Sequence, residues 1–180
     1  MPAAKMTGDA FAALATRGVP YVGQLGCTVE RFEHGRVDVR LPCRDLLLRP
    51  GGTICGPAMM ALADITLYGV VLSMVGPVEL AVTADFNIHF LRKPRPGDLI
   101  ARGRCLKLGR SLVVGEVSIV PDRRADAPAD PAATPPEPRP VAHVIATYAL
   151  PPSAPTYDAP PSDALRPGHG TDGASGDRAT

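Results

Sequence analysis

The chain has 180 residues, of which 45% are hydrophobic and 21% charged, and its formal net charge at pH 7 is +1. This length suits one domain that buries a core of its own. A 4% aromatic content without Trp makes that core aliphatic. The nearly neutral charge balance argues against a surface that binds a polyanion, so we expect no nucleic-acid partner.

The four cysteines lie far apart, at positions 27, 43, 55 and 105, and no two of them form a Cys-x-x-Cys pair. Such scattering argues against a zinc site and against a disulfide framework, and it fits a reducing compartment. The first residues contain no continuous apolar stretch of the kind found in signal peptides. We therefore expect a cytoplasmic protein that needs no metal.

The first elements in chain order are a short helix and two strands. Residues 8–17 have the pattern of an amphipathic helix. Residues 24–33 and 35–43 have the pattern of strands, because apolar and polar side chains alternate in the second of them. A His-Gly pair between the two strands is typical of a hairpin turn.

Residues 56–75 form the one long helical pattern of the sequence. Gly56 can cap this helix, and Pro57 suits its first turn. The segment is apolar nearly all round, which also fits a membrane span, but Asp64 inside it would cost about 2.5–3.5 kcal/mol in a bilayer. Gly-Pro pairs rather than basic residues flank the segment. We therefore expect no membrane span and predict a buried helix that other elements enclose.

Four further strands are predicted after the helix, at 78–92, 98–109, 110–120 and 140–150. The short connections between most of them favour an antiparallel sheet. A helix that is apolar all round needs a sheet that curves about it. The sequence therefore predicts an α+β domain in which an antiparallel sheet wraps around one central helix.

The strand predicted at 78–92 has two distinct faces. Apolar side chains share one face, and Thr83, Asp85, Asn87 and His89 share the other. On this polar face, Asn87 and His89 are candidates for substrate binding in a cleft or at a dimer interface. The alternative is that both face solvent.

Residues 121–140 are rich in Pro and Ala and have almost no large apolar side chain. Such a segment cannot offset the entropy of ordering, which predicts a flexible insertion within a domain at 20–150. An N-terminal segment, 1–19, precedes this domain. A tail of similar composition, 151–180, follows it, and we predict that the tail is disordered.

Two stretches carry a resemblance to a known family. They are "GGTICGPAMMALAD" and, further on, "AVTADFNIHFLRKPRPGDLIARGRCLKLGRSLVVGEVSIV". Together they resemble the hotdog-fold acyl-CoA thioesterases of the phenylacetate-degradation type. The resemblance covers roughly residues 20–150 apart from the insertion. It implies the hotdog fold and hydrolysis of a small or medium acyl or aryl thioester of coenzyme A, with no cofactor beyond that substrate.

The family's active-site pattern is Asn, five residues, His-Gly-Gly, six residues, Asp. On this chain the Asp falls on Asp64 and the first Gly on Gly56. The resemblance implies that Asp64 activates water or attacks the thioester carbonyl directly, and that the Gly56 N–H polarises the carbonyl oxygen. Three positions depart from the pattern: Arg49 replaces Asn, Cys55 replaces His, and Pro57 replaces the second Gly.

The spacing of Asp64 and Gly56 has a geometric consequence. Eight residues of α-helix separate them by roughly 12 Å, at 1.5 Å per residue. Both groups can therefore scarcely reach one carbonyl group within a single chain. A site that uses both needs the helix of a second subunit, which agrees with the dimeric active sites of the family. We expect a homodimer or a homotetramer.

Two basic groups are candidates for binding the phosphates of coenzyme A. Both groups follow strands, and similar positions bind the phosphates in the family. The alternative for each is a solvated strand end. The first group contains Arg92, Lys93 and Arg95, and the second contains Lys107 and Arg110.

Several other interpretations stay open at this point. Asp64 can instead have a structural role, bonded to a backbone group or to Thr66 or Tyr68. Cys55, at a helix N-terminus, can be a nucleophile, with His34, His89 or His143 as the base. Arg49 and Cys55 line the substrate site if the resemblance holds. Because of the departures, the main alternative function is a non-catalytic hotdog protein that binds acyl-CoA or another hydrophobic ligand, and hydratase chemistry ranks below it.

Overall fold

A six-stranded antiparallel sheet wraps around one long helix in the computed structural model, which describes residues 2–122, 138–152 and 154. The helices are α1 (Gly8–Gly18), α2 (Pro20–Leu25) and α3 (Gly56–Val75). The strands are β1 (Thr28–Glu33), β2 (Arg36–Leu41), β3 (Leu48–Arg49), β4 (Thr53–Ile54), β5 (Val82–Phe90), β6 (Leu99–Leu108), β7 (Leu112–Pro121) and β8 (Ala142–Ala149). This architecture is the hotdog fold, as predicted.

The predicted elements are all present, and two further features appear. A short helix, α2, occupies the start of the strand predicted at 24–33, because Pro20 suits a first turn and Gly26 ends the helix with a φ of 70°. The hairpin of β3 and β4 was not predicted, because strands of two residues leave no alternation to detect. Most of the predicted insertion, 123–137, and almost all of the tail lie outside the described residues.

The order of strands in the sheet is β1-β2-β6-β7-β8-β5. β5 therefore lies at an edge and, among the described residues, pairs with β8 alone. Its other side has no neighbouring strand in that part of the chain, so backbone N–H and C=O groups there are unpaired. This free edge lies next to the site described below.

The helix α3 packs against the concave face of the sheet, and most of its residues are buried. It is long and apolar enough to cross a membrane, but 78% of its most apolar window is buried inside the domain. The prediction of an enclosed core helix is confirmed. The helix approaches the sheet closely. A Cβ atom added at Gly115 in β7 would lie only 2.3 Å from Leu67 Cδ2.

We predict that Gly115→Ala destabilises the protein, because an added methyl group would overlap Leu67 in a packed core. The free energy of unfolding should fall by about 1–3 kcal/mol, measured by urea denaturation. The matched control is Gly18→Ala, since a Cβ atom there meets nothing within 4 Å. That control should change stability by no more than about 0.5 kcal/mol. Equal effects of the two substitutions would contradict the close packing of helix and sheet.

Candidate functional site

Asp64 lies in the middle of α3 and is half-buried. Its Oδ1 atom accepts hydrogen bonds from the Thr83 hydroxyl at 2.8 Å and from the Tyr148 hydroxyl at 2.7 Å. The Tyr148 hydroxyl also lies 3.0 Å from the backbone oxygen of Asp64. Asp64 thus links the central helix to β5 and β8.

The partners that the structural alternative suggested for Asp64 are engaged elsewhere. The Thr66 hydroxyl donates to the Leu62 carbonyl oxygen at 2.7 Å, within α3 itself. The Tyr68 hydroxyl donates to the carbonyl oxygen of Glu79 at 3.3 Å. Neither hydroxyl bonds to Asp64 in the described part of the chain.

A β-bulge in β5 places Thr83 beside Asp64. Thr83 pairs with Tyr148, but the register shifts before Asp85 pairs with Thr147, so Ala84 is an extra residue on β5. Thr83 therefore faces the helix, as Phe86 does, whereas Asp85 faces outward. The strict alternation predicted for this strand, with Thr83 on the face of Asp85, is wrong at this point.

The Tyr148 hydroxyl remains a hydrogen-bond donor at neutral pH. Tyr148 is only 3% exposed. Burial first, and the negative charge of Asp64 second, raise the pKa of Tyr148 above its usual value. The phenol therefore stays protonated across the neutral range. The ring of Tyr68 stacks on it, with the two centroids 6.2 Å apart.

A shallow pocket opens at Asp64. It has a volume of about 310 Å³ and is lined by Met60, Ala61, Asp64, Thr83 and Phe86. The lining is apolar apart from the carboxylate and the threonine hydroxyl. No described side chain bonds to Oδ2 of Asp64, so this oxygen has lone pairs available for a further hydrogen bond.

A second pocket, of about 510 Å³, lies at the N-terminus of α3. Gly56 begins the helix here, so its N–H has no partner within the helix. The ring of Phe90 lies against Gly56. A Cβ atom added at Gly56 would be 3.3 Å from Phe90 Cζ. The lining consists of Arg49, Thr53, Ile54, Gly56, Met59, Phe90, Leu91, Arg92, Lys93 and Pro94, and none of these borders the pocket at Asp64.

The second pocket brings three cations together. Arg49 comes from the β3–β4 hairpin, and Arg92 and Lys93 come from the loop after β5. The Arg92 guanidinium donates to the Pro140 carbonyl oxygen at 2.6 Å, which holds it against the start of the last strand. The positive end of the α3 dipole faces the same space. The pocket is therefore suited to an anion.

The remaining predicted basic residues do not line this pocket. Arg95 is exposed in the same loop. Lys107 and Arg110 lie at the β6–β7 turn. The strand register places that turn at the opposite end of the sheet, near the beginning of β5 and thus near Asp64.

Asn87 and His89 point away from the helix, paired with Ile145 and His143 on the outer face of the sheet. Both are exposed, and neither borders the two pockets in this chain. In the single chain both lie on the outer face of the sheet, and their role in substrate binding stays a prediction.

Cys55 is the N-cap residue of α3, and its side chain makes no capping hydrogen bond. His34 lies in the β1–β2 turn and His89 on the outer face, while His143 Nε2 lies 3.3 Å from Glu116. In the described ranges none of these histidines is bonded to Cys55. The arrangement therefore offers the thiol no base.

Sequence reasoning missed Thr83 and Tyr148 as site residues. Alternation assigned Thr83 to the wrong face, since a bulge leaves no mark in the apolar pattern. Tyr148 lies 84 residues from Asp64 and reaches it through the pairing of β5 with β8. Among the described residues no group of three His, Cys, Asp or Glu side chains is placed to hold a metal ion.

Comparisons with known proteins relate this chain to thioesterases of the same fold. The pattern of the thioesterase superfamily matches residues 51–127. A protein of Halobacterium salinarum named "Putative esterase" is 34% identical over 110 residues, which are 57% of this chain and 72% of that protein. A crystal structure of a "putative thioesterase" from Silicibacter superposes with a TM-score of 0.67 at 34% identity, covering 83% of this chain and 94% of that chain.

The chain belongs to the thioesterase superfamily and has the hotdog fold. The PaaI protein from the phenylacetic acid degradation operon of Escherichia coli has the same fold, with a TM-score of 0.63 at 18% identity over 79% of this chain and 92% of that one. Hydrolysis is the general activity that goes with this family.

We predict that Cys55→Ser stabilises the protein. The backbone of Cys55, with φ of −74° and ψ of 157°, already has the conformation of an N-cap, but a thiol is a weak acceptor. A serine oxygen can accept from the N–H of Ala58, since Pro57 has none. The free energy of unfolding should rise by about 0.5–1 kcal/mol, with Cys55→Ala as the control without an acceptor. A serine variant no more stable than the alanine variant would contradict this capping geometry.

Proposed function

We propose that this protein is an acyl-CoA thioesterase whose active site is shared between two subunits. Asp64 of one subunit is the general base or the nucleophile, and the Gly56 N–H of the other stabilises the oxyanion. The observation that supports this most directly is the placement of Asp64 and Gly56 in separate pockets of one chain. The first pocket has the Asp64 carboxylate and the second has the Gly56 N–H, and the proposed reaction requires both groups.

The free edge of β5 offers a way to join the two halves. If two copies pair their β5 strands in antiparallel fashion, the beginning of one strand lies beside the end of the other. Thr83, and with it Asp64, would then approach the partner's Phe90 and the partner's Gly56. The apolar side chains along this border are unusually exposed for a single chain, with Met60 at 41%, Val82 at 58% and Phe90 at 50%.

The chemistry of this site follows from the open Oδ2 atom of Asp64. As a general base, Oδ2 takes a proton from water while the water oxygen bonds to the thioester carbon. The electron pair of the C=O bond moves to the oxygen, where the Gly56 N–H of the second subunit and the helix dipole stabilise it. Collapse breaks the C–S bond, and the proton passes from Asp64 to the leaving thiolate.

Direct attack by Oδ2 is the other route that this geometry permits. The carboxylate then forms an anhydride with the acyl group, and the thiolate leaves. Water hydrolyses the anhydride and restores Asp64. Both routes release a carboxylic acid and coenzyme A, and both need the same two groups.

The cations of the second pocket support coenzyme A as the carrier. Arg49, Arg92 and Lys93 present positive charge beside Gly56, where the phosphates of the carrier would follow the thioester. In the paired arrangement, Lys107 and Arg110 of the other chain would lie near the same end. Arg95, in the same loop as Arg92, would add to this basic surface.

The acyl group would occupy the pocket at Asp64. Met60, Ala61 and Phe86 line it with apolar surface, and its volume of about 310 Å³ suits a small or medium acyl or aryl group. Asn87 and His89 lie on the other face of β5, so any role in substrate binding would come from a further subunit. A dimer or a dimer of dimers fits these requirements, and the four free thiols fit a cytoplasmic location.

The departures at Arg49 and Cys55 favour one alternative, a hotdog protein that binds an acyl-CoA without hydrolysing it. Arg49 supplies a cation where the family has a neutral amide, which would strengthen binding of an anionic carrier. Cys55 supplies no strong hydrogen-bond donor at the position of the histidine. Turnover distinguishes the two functions directly.

We predict that Asp64→Asn lowers kcat at least about 100-fold on the best substrate of an acyl-CoA panel, since the amide cannot take a proton from water. Thiol release at neutral pH measures this rate. Asp85→Asn is the matched control, because Asp85 faces outward on the same strand as Thr83. Hydrolysis that survives unchanged in Asp64→Asn would refute the assignment. If no ester turns over but CoA esters raise the melting temperature, the protein is the binder instead.

A further inference from the structure

We propose that Tyr148 is a positioning residue that, with Thr83, fixes Oδ1 of Asp64 and leaves Oδ2 as the one reacting atom. This inference rests on the proposed function and names residues that the family pattern does not contain. It follows from where the two hydroxyls bind. Both of them donate to the same carboxylate oxygen, at 2.7 and 2.8 Å.

The hydroxyls come from directly opposite positions on two strands. Thr83 of β5 and Tyr148 of β8 form a cross-strand pair, and the bulge at Ala84 turns Thr83 to the helix side. Asp64 of α3 lies over this pair. The carboxylate is therefore held from two strands at once, which restricts rotation about both of its side-chain torsions.

Holding Oδ1 assigns different roles to the two oxygens. Oδ1 has two donors, whereas Oδ2 has none among the described residues, and Asp64 borders the pocket that Met60, Ala61 and Phe86 line. Of the two carboxylate oxygens, only Oδ2 has its lone pairs available to a water molecule or a thioester carbon in that pocket. The geometry thus aims the carboxylate at the acyl pocket.

The Thr83 and Tyr148 hydroxyls are the main groups that stabilise the charge of Asp64 among the described residues. In the described ranges, the titratable groups near the carboxylate are Tyr148 from β8 and, beyond it, Tyr68 from α3. Past Tyr68 lies Glu79, whose backbone oxygen accepts a hydrogen bond from the Tyr68 hydroxyl. Within the described residues no Lys, Arg or His side chain bonds to Asp64. Each hydroxyl supplies a hydrogen-bond donor to the carboxylate oxygen Oδ1.

The test compares Tyr148→Phe with Tyr68→Phe. The two rings stack on each other, but only the Tyr148 hydroxyl touches Asp64. We expect Tyr148→Phe to lower kcat about 10- to 100-fold while KM for the CoA ester changes less than about twofold. Tyr68→Phe should change neither quantity.

A readout that needs no turnover separates this inference from the proposed function. The ¹³C carboxyl resonance of Asp64, identified by its absence in Asp64→Asn, should have a different chemical shift in Tyr148→Phe than in wild type at the same pH, because Oδ1 loses a hydrogen-bond donor. This chemical shift should be unchanged in Tyr68→Phe. If Asp64→Asn abolishes turnover but Tyr148→Phe leaves kcat and this chemical shift unchanged, the positioning role is refuted and the proposed function stands.

Substitution of Thr83 provides a second test of the inference if Tyr148→Phe does not fold. Thr83 is exposed, so Thr83→Val keeps the shape of the side chain and removes only the donor. It should lower kcat and change the same ¹³C chemical shift, and Thr83→Ser should restore both. Circular dichroism and the melting temperature report whether each variant is folded. A folded Thr83→Val protein with wild-type kcat and wild-type chemical shift would overturn the claim that the hydroxyls hold Oδ1.

Discussion

The packing of α3 against the concave face of the sheet is the contact on which the rest of the structure depends. The helix can lie so close because the sheet has glycine where Leu67 and Thr66 meet it, at Gly115 and Gly103. This contact buries the apolar helix on nearly every side. It also determines where the first residue of the helix and its one carboxylate emerge from the core.

A rigid helix cannot bring its own two functional groups together. Gly56 and Asp64 lie about 12 Å apart along α3, and each opens into a pocket that lacks the other. The edge strand β5 runs between these pockets, with Thr83 near its beginning and Phe90 at its end. A two-fold pairing of this edge would make one complete site from each carboxylate and the opposite helix N-terminus. Oligomerisation would then be a requirement of the chemistry.

Much of the fold could be predicted from the sequence. The bounds of α3 follow from Gly56-Pro57 at one end and Gly76-Pro77 at the other, and alternation in 35–43 identified β2. The β3–β4 hairpin was missed because its strands are too short to show a period. Asp64 was a candidate from the sequence because a carboxylate is rare in an apolar helix and its spacing fits the family pattern.

The environment of Asp64 could not be predicted, since it depends on tertiary pairing. Tyr148 meets Asp64 only because β8 pairs with β5, and Thr83 meets it only because of the bulge at Ala84. Neither event leaves a local signal in the sequence. The same bulge explains why Asn87 and His89 face outward while Thr83 faces the helix.

The shared site is tested most directly by mixing two inactive variants. Asp64→Asn removes the carboxylate, and Gly56→Pro removes the N–H while keeping a residue that suits the first helical turn. Co-expressed in equal amounts and purified together, the two should regain thiol release to roughly a quarter of the wild-type rate, because random assortment makes half of the dimers mixed and each mixed dimer has one intact site of two. Mixtures that stay inactive, although mass spectrometry shows mixed dimers, would contradict a site built from two subunits.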